Sequence, residues 1–271
     1  MIKVAALQAF PLGNPREKLE HALTLMEKAH NREVDIACFP ETYPGSGEEA
    51  ICRKAKDLGL YVIAGLPEII DKSTFNTSTL ISSDGFVSGR QRKIHLEAFE
   101  NEIDLTPGRD NPVFDTKFGV RIGITVCIDG WGWPEQTTSL AHDGADIVFN
   151  TLYGISIIKY EQNAALVRAY ENLMPLVFVR TAKHQTSIRV GSVTFPKAGG
   201  GSMIICPPFP IHSLEDYHRT YAPDDDDLDS WIVAEADKEE TILTAEIDPA
   251  IYRDSRRWWL EKRRRLNDKR Y

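Results

Sequence analysis

No run of about eighteen apolar residues occurs in the 271-residue chain, so no membrane-spanning helix is expected. Cysteine is scarce. Cys38, Cys52, Cys127 and Cys206 stand alone, with no C-x-x-C pair. Four isolated thiols in a chain of this length exclude a disulfide framework and point to a reducing, cytoplasmic compartment. Paired-cysteine spacing and H-E-x-x-H are both missing, so no metal site is expected. Gly199-Gly200-Gly201-Ser202 lacks the lysine of a phosphate loop. Met1 to Leu7 carries one lysine and an apolar stretch that Gln8 stops, which reads as a first strand rather than a secretion signal. There is no internal repeat, no low-complexity linker and no composition shift. The chain is therefore expected to form one domain over residues 1–271.

What the chain has is ordinary globular composition. Apolar residues make up 42% and charged residues 27%, which argues against disorder. The net charge of −8 disfavours nucleic-acid and anionic-membrane partners. The charge is uneven. Eleven acids oppose one lysine from Pro223 to Asp248, and the run Asp224–Asp227 after Pro223 reads as a surface loop. Nine Lys/Arg oppose three acids from Arg253 onward. Trp258, Trp259 and Leu260 interleave with those basic residues, so the tail has apolar surface to bury and is expected to be a packed C-terminal arm.

Periodicity predicts strands at 2–9, 34–39, 61–64, 119–126, 145–150 and 176–181, with later ones at 203–206 and 241–247. A hairpin is expected from 75–81 and 86–93 around Ser83-Asp84-Gly85. Asn14-Pro15-Arg16-Glu17 has the N-cap, N1 proline and N3 glutamate of a helix start, and Leu19, Ala22, Leu23, Met26 and Ala29 follow at helical spacing. Further helices are expected at 48–58, 134–142 and 157–173. The mixture of alternating and hairpin-linked elements indicates sheets packed together with helices outside.

Three polar residues stand at strand ends. Glu41 follows Cys38-Phe39-Pro40, Lys93 closes Arg90-Gln91-Arg92, and Cys127 closes Arg121 to Val126. Singly, each has a plain structural explanation: a solvated glutamate, an exposed lysine, a small core cysteine. Together they supply acyl-transfer chemistry. The strand, turn and helix of Cys127 to Glu135 match the geometry that lifts a nucleophile from a sheet. A helix dipole and a lysine are expected to lower the thiol's pKa. A carboxylate serves as base and acid, and a lysine serves a forming oxyanion.

These stretches resemble the nitrilase superfamily, the carbon–nitrogen hydrolases. The matching segments are Phe39-Pro40-Glu41-Thr42-Tyr43-Pro44-Gly45, Arg90 to Leu96, Arg121 to Asp129, Gly144 to Asn150, Gly199 to Pro207, and Glu246 to Arg257 with the final D-K-R-Y. The resemblance implies an α+β fold, a four-layer α-β-β-α sandwich. It implies a homodimer or a multiple of dimers, with residues from about 249 to 271 forming an arm that crosses to a partner. It implies a Glu41, Lys93 and Cys127 triad, with a second glutamate after the lysine. Spacing from Lys93 selects Glu100, while spacing back from Pro107-Gly108 keeps Glu102 open. The backbone N–H of Ile128 would help hold the oxyanion, and Tyr43 and Trp131 are candidate substrate contacts.

The implied activity is thiol amidohydrolysis of a small amide or N-carbamoyl compound through a cysteine thioester, with no metal or organic cofactor. Ile128-Asp129 after the cysteine looks like the amidase and carbamoylase branches, whereas true nitrilases tend to carry Trp-Glu there. Nitrile hydrolysis is the alternative within the family. A catalytically silent oligomeric binding protein is the alternative outside enzymology.

Overall fold

The computed structural model describes residues 1–11, 13–154, 158–195, 198–207, 213, 216 and 231–268, without the side chains at 260 and 263–268. The acidic run at 224–227, the residue at 157 and the last three residues of the arm lie outside the described residues.

The first half of the chain runs β1 (Ile2–Gln8), α1 (Pro15–His30), β2 (Ile36–Cys38), α2 (Glu48–Leu58), β3 (Tyr61–Gly65), β4 (Glu68–Ile70), β5 (Ser73–Phe75), β6 (Thr77–Ile81), β7 (Val87–Arg92) and the single turn α3 (Ala98–Asn101). The second half runs β8 (Val113–Asp115), β9 (Arg121–Val126), α4 (Ile128–Trp131), α5 (Pro134–His142), β10 (Ile147–Thr151), α6 (Ile158–Asn172), β11 (Leu176–Val179), β12 (Ile188–Val190), β13 (Val193–Phe195), β14 (Met203–Ile205), β15 (Ile232–Glu235), β16 (Thr241–Ile247) and α7 (Pro249–Asp268).

Two six-stranded sheets result, ordered β16-β1-β2-β3-β6-β7 and β15-β14-β11-β10-β9-β8. Each has three parallel strands at its centre, β1-β2-β3 in one and β9-β10-β11 in the other, with antiparallel strands outside. The two-residue period of the strands assigns their side chains to layers. In β1, Ile2, Val4 and Ala6 face the core between the sheets, while Ala5 and Leu7 face α1 and α2. In β10, Ile147 and Phe149 face the same inter-sheet core, while Val148 packs against Leu140 and Ala141 of α5. Leu176 and Phe178 of β11 turn outward to Ala165 and Ala169 of α6. The architecture is the four-layer α-β-β-α sandwich.

Local signals worked where they are chemically strong. The Asn14 side chain accepts from the backbone N–H of Arg16 at 2.9 Å and of Glu17 at 3.4 Å, and α1 begins at Pro15. Gly59 ends α2 in the left-handed conformation at φ 65°. The expected strand from Phe75 is divided instead. Phe75 ends the β4–β5 hairpin, and Asn76 stands between strands with its carbonyl accepting from Lys93 N–H at 2.8 Å. The C-terminal arm begins as a helix on its own sandwich. Tyr252 packs on the inter-sheet core, Ser255 and Arg256 are buried, and Arg253 reaches Asp146 at 2.8 Å. Among the described residues no helix is long and apolar enough to cross a membrane.

Candidate active site

Glu41 lies in the loop after β2. The backbone folds back tightly here, with Thr42 at φ 55°. Gly65 at the end of β3 allows this, because a Cβ there would sit 2.2 Å from the Thr42 nitrogen. The Glu41 carboxylate is buried and fully engaged. One oxygen accepts from Asn76 Nδ2 at 2.8 Å and Lys93 Nζ at 3.2 Å, and the other from the Tyr153 backbone N–H at 2.9 Å.

Lys93 is only 1% exposed. Its ammonium lies 3.2 Å from Glu41 and 2.7 Å from Glu100. Burial by itself drives a lysine toward neutrality. Here Cys127, Glu41 and Glu100 together outweigh it and hold the Lys93 pKa well above the usual lysine value. The ammonium is therefore the resident form. Glu100 is placed by α3, a turn closed by a reciprocal capping box. Its side chain accepts from Glu97 N–H at 2.8 Å while the Glu97 side chain receives the N–H of Glu100. Asn76 Nδ2 also reaches Glu100 at 3.2 Å, so one amide bridges both carboxylates.

Cys127 occupies the turn from β9 into α4 at φ 53° and ψ −119°. Such a conformation costs on the order of 1–3 kcal/mol for a non-glycine residue. The surroundings hold it in place. Its N–H donates to Thr151 O at 2.7 Å, and its carbonyl accepts from Gly130 N–H at 3.0 Å. The inter-sheet core supplies the energy. Each fully buried Ile or Phe beneath the turn is worth about 1.5–3 kcal/mol.

Asp129, two residues on, is buried and accepts from the backbone N–H groups of Ile94 and His95, both at 2.8 Å, and from His95 Nδ1 at 2.8 Å. The turn carrying the cysteine is thereby fastened to the turn carrying the lysine. His95 stacks on Trp133 with ring centroids 3.9 Å apart.

Glu41, Asn76, Lys93, Glu100, Cys127 and Trp131 line one cavity of about 510 Å³. Phe75, Phe99, Ile103, Leu105 and Phe195 supply an apolar wall. Among the described residues no group of three or more His, Cys, Asp or Glu is placed to hold a metal ion.

Three sequence expectations need adjusting. First, the thiol pKa moves up rather than down. Burial raises it well above the usual cysteine range, the Glu41 charge adds to this, and Lys93 opposes without prevailing. Second, Tyr43 is absent from the cavity lining. It is 1% exposed, stacks on Phe39 at 5.6 Å and shares a 2.6 Å hydrogen bond with His21 Nδ1. Third, Glu102 points outward and accepts from the N–H and hydroxyl of Ser192. Glu100 is the glutamate brought to Lys93. Ile128 opens α4, placing its backbone rather than its side chain beside the cysteine.

Sequence reasoning passed over Asn76, which carried no motif. It also passed over the buried pair Glu161–Arg180, at 2.6 Å. Burial raises the Glu161 pKa to about 7 even beside Arg180, and its charge is a further influence that raises the Cys127 thiol.

Residues 3–211 match the carbon-nitrogen hydrolase family, and the chain belongs to that family, the nitrilase superfamily of C–N hydrolases. It is similar to a nitrilase of Pyrococcus abyssi (26% identity over 94% of this chain and 93% of the relative). It is also similar to an omega-amidase of Xenopus laevis (27%, 86% and 83%) and to the N-carbamoylputrescine amidase of Solanum tuberosum (25%, 96% and 90%). Among solved structures, a carbon-nitrogen hydrolase from Helicobacter pylori superposes with a TM-score of 0.76 at 21% identity, covering 97% of this chain and 94% of that one. The amidase of Nesterenkonia sp. AN1 in complex with butyramide superposes at 0.70 and 20% identity, covering 97% and 96%.

Proposed function

We propose that this enzyme cleaves the C–N bond of a small amide or N-carbamoyl compound, with Cys127 as nucleophile, Glu41 as proton carrier and Lys93 as oxyanion partner. The observation that carries this reading is the buried Glu41–Lys93–Glu100 cluster opening on the cavity that Cys127 lines. The raised thiol pKa suits a mechanism in which the proton is removed as attack occurs.

Glu41 takes the Sγ proton of Cys127 while sulfur bonds to the substrate carbonyl carbon. The carbonyl electron pair moves to oxygen, where the Lys93 ammonium and the Ile128 N–H meet it. Collapse breaks the C–N bond, and Glu41 returns the proton to the departing nitrogen. Water then attacks the thioester, Glu41 takes its proton, and the proton goes back to sulfur as the acid leaves. Glu100 keeps Lys93 charged and aimed. A free nucleophilic thiol suits the reducing cytoplasm.

Two structures of the Nesterenkonia amidase support the reading by fold analogy. A cysteine-to-alanine variant holds butyramide, and a glutamate-to-glutamine variant carries the acetamide moiety of fluoroacetamide on its active-site cysteine. The test is ammonia release from a panel of amides, ureido acids and nitriles. Turnover of amides or ureido acids that Cys127→Ala abolishes is expected. Turnover of nitriles alone would move the enzyme to the other branch. No turnover of any class would favour the silent binding protein.

A further inference from the structure

Glu161 and Arg180 are buried charges that take no part in the proton transfers. Their ion pair, at 2.6 Å, joins the first turn of α6 to the residue that follows β11. Neither side chain lines the catalytic cavity. Both stand within electrostatic reach of it. Glu161 raises the Cys127 thiol pKa, and the sulfur in turn acts on Arg180. Opposite charges side by side largely cancel at a third group, so the pair matters for what it touches.

β10 and β11 run parallel with Thr151 beside Val179, and the residues that follow, Tyr153-Gly154 and Arg180-Thr181, meet at the strand ends. Gly154, at φ 77°, lies on the Arg180 guanidinium. A Cβ there would sit 3.1 Å from Nε and 3.4 Å from Nη2, so the close approach depends on glycine. The Thr181 hydroxyl donates to the Tyr153 carbonyl and meets His184 Nε2 at 2.9 Å. With that carbonyl held, the Tyr153 N–H donates to Glu41 Oε2 at 2.9 Å. Arg180 is anchored in turn, its backbone N–H donating to Ser202 Oγ at 2.9 Å. A line of contacts thus runs from α6 through Arg180, Gly154 and Tyr153 to the carboxylate of Glu41.

Resting on the reading of Glu41 as proton carrier, we infer that Glu161 and Arg180 are positioning residues whose ion pair braces Gly154 and so holds the Tyr153 N–H on Glu41. Arg180 is the brace. Glu161 makes a buried cation tolerable at this place, because a guanidinium buried alone is strongly destabilising. Glu41 must take a proton from sulfur and return it to nitrogen, and a carboxylate free to rotate would do neither well.

Removing one partner strands the other as an unpaired charge near the sulfur, so a single variant mixes a field effect with loss of the brace. The double variant Glu161→Leu/Arg180→Met removes both charges. Replacing a buried pair by apolar side chains is often neutral for stability, and a Tm near wild type is expected. Hydrogen exchange of the Tyr153 amide, measured against Phe149 in β10, should be at least about tenfold faster. On whichever amide the enzyme turns over, kcat should fall at least about tenfold with KM within about twofold. Arg180→Lys keeps the cation but lacks the planar fork; it should show both changes in smaller measure, and it serves if the double variant does not fold. Wild-type exchange at Tyr153 in these variants would overturn the brace, and so would a kcat that stays at the wild-type value. Absence of turnover in the wild type would overturn the amidase reading, and exchange at Tyr153 would still decide for or against the brace.

Discussion

Asp129 holds His95 twice, through the backbone N–H and through Nδ1, each at 2.8 Å. These contacts and the one to Ile94 N–H span from the start of α4 to the turn just after Lys93. The nucleophile and the lysine come from opposite sheets, and this carboxylate sets their relative position. Asp129→Ala leaves two backbone donors without their partner in a buried site. A loss of about 2–3 kcal/mol in urea denaturation is expected, together with a fall in kcat larger than any change in KM. An unaltered kcat would show that the tether does not position the cysteine.

The two glutamates after Lys93 should separate cleanly. Glu100→Gln removes a charge 2.7 Å from the buried ammonium and should reduce turnover about a hundredfold or more. Glu102→Gln touches an exposed contact to Ser192 and should stay within about 0.5 kcal/mol of wild-type stability with near wild-type rates. Steady-state kinetics and melting curves on both proteins decide the matter, and the reverse ranking would sink the assignment of Glu100.

The thiol of Cys127 should titrate above the ordinary cysteine range, because burial and the Glu41 charge both favour the neutral form. Thiolate absorbance, taken as wild type minus Cys127→Ser, should therefore stay low at neutral pH and rise only in the alkaline range. Glu41→Gln removes a negative charge and should move the midpoint down. Lys93→Met removes a positive one and should move it up. Shifts of the opposite sign would mean that the two charges do not act on the sulfur as the geometry requires.

The basic arm is proposed to cross to a partner subunit. Its first turns are committed to its own sandwich through Tyr252, Arg253 and Arg256. Trp258, farther along α7, has the Lys262 ammonium over its ring, 5.5 Å from the centroid. Light scattering at micromolar concentration should show a dimer or a multiple of dimers, and truncation before Trp258 should weaken it. A monomer in the full-length protein would exclude the crossing arm.

Local chemistry made much of this protein readable from its sequence. Asn14 and Pro15 mark the start of α1, and Gly85 turns the β6–β7 hairpin at φ 81°. Alternation along β1 and β10 separates the inter-sheet core from the helix layers. Glu41, Lys93 and Cys127 were legible because each stands in a short motif at a strand end. Their acid–base states were not, because a pKa depends on burial and on charges distant in sequence. The helix dipole and lysine suggested a lowered thiol pKa, whereas the folded site surrounds the sulfur with protein and with Glu41, Glu100 and Glu161. Tertiary structure likewise chose Glu100 over Glu102, since α3 turns one inward and the other toward Ser192. It put Tyr43 in the helix-layer core and brought Asn76 between two carboxylates. It also joined Lys18, from the first helix, to a cavity whose other lining residues run from Glu41 to Phe195. Such neighbours are set by how two sheets pack face to face, and no local pattern encodes that distance.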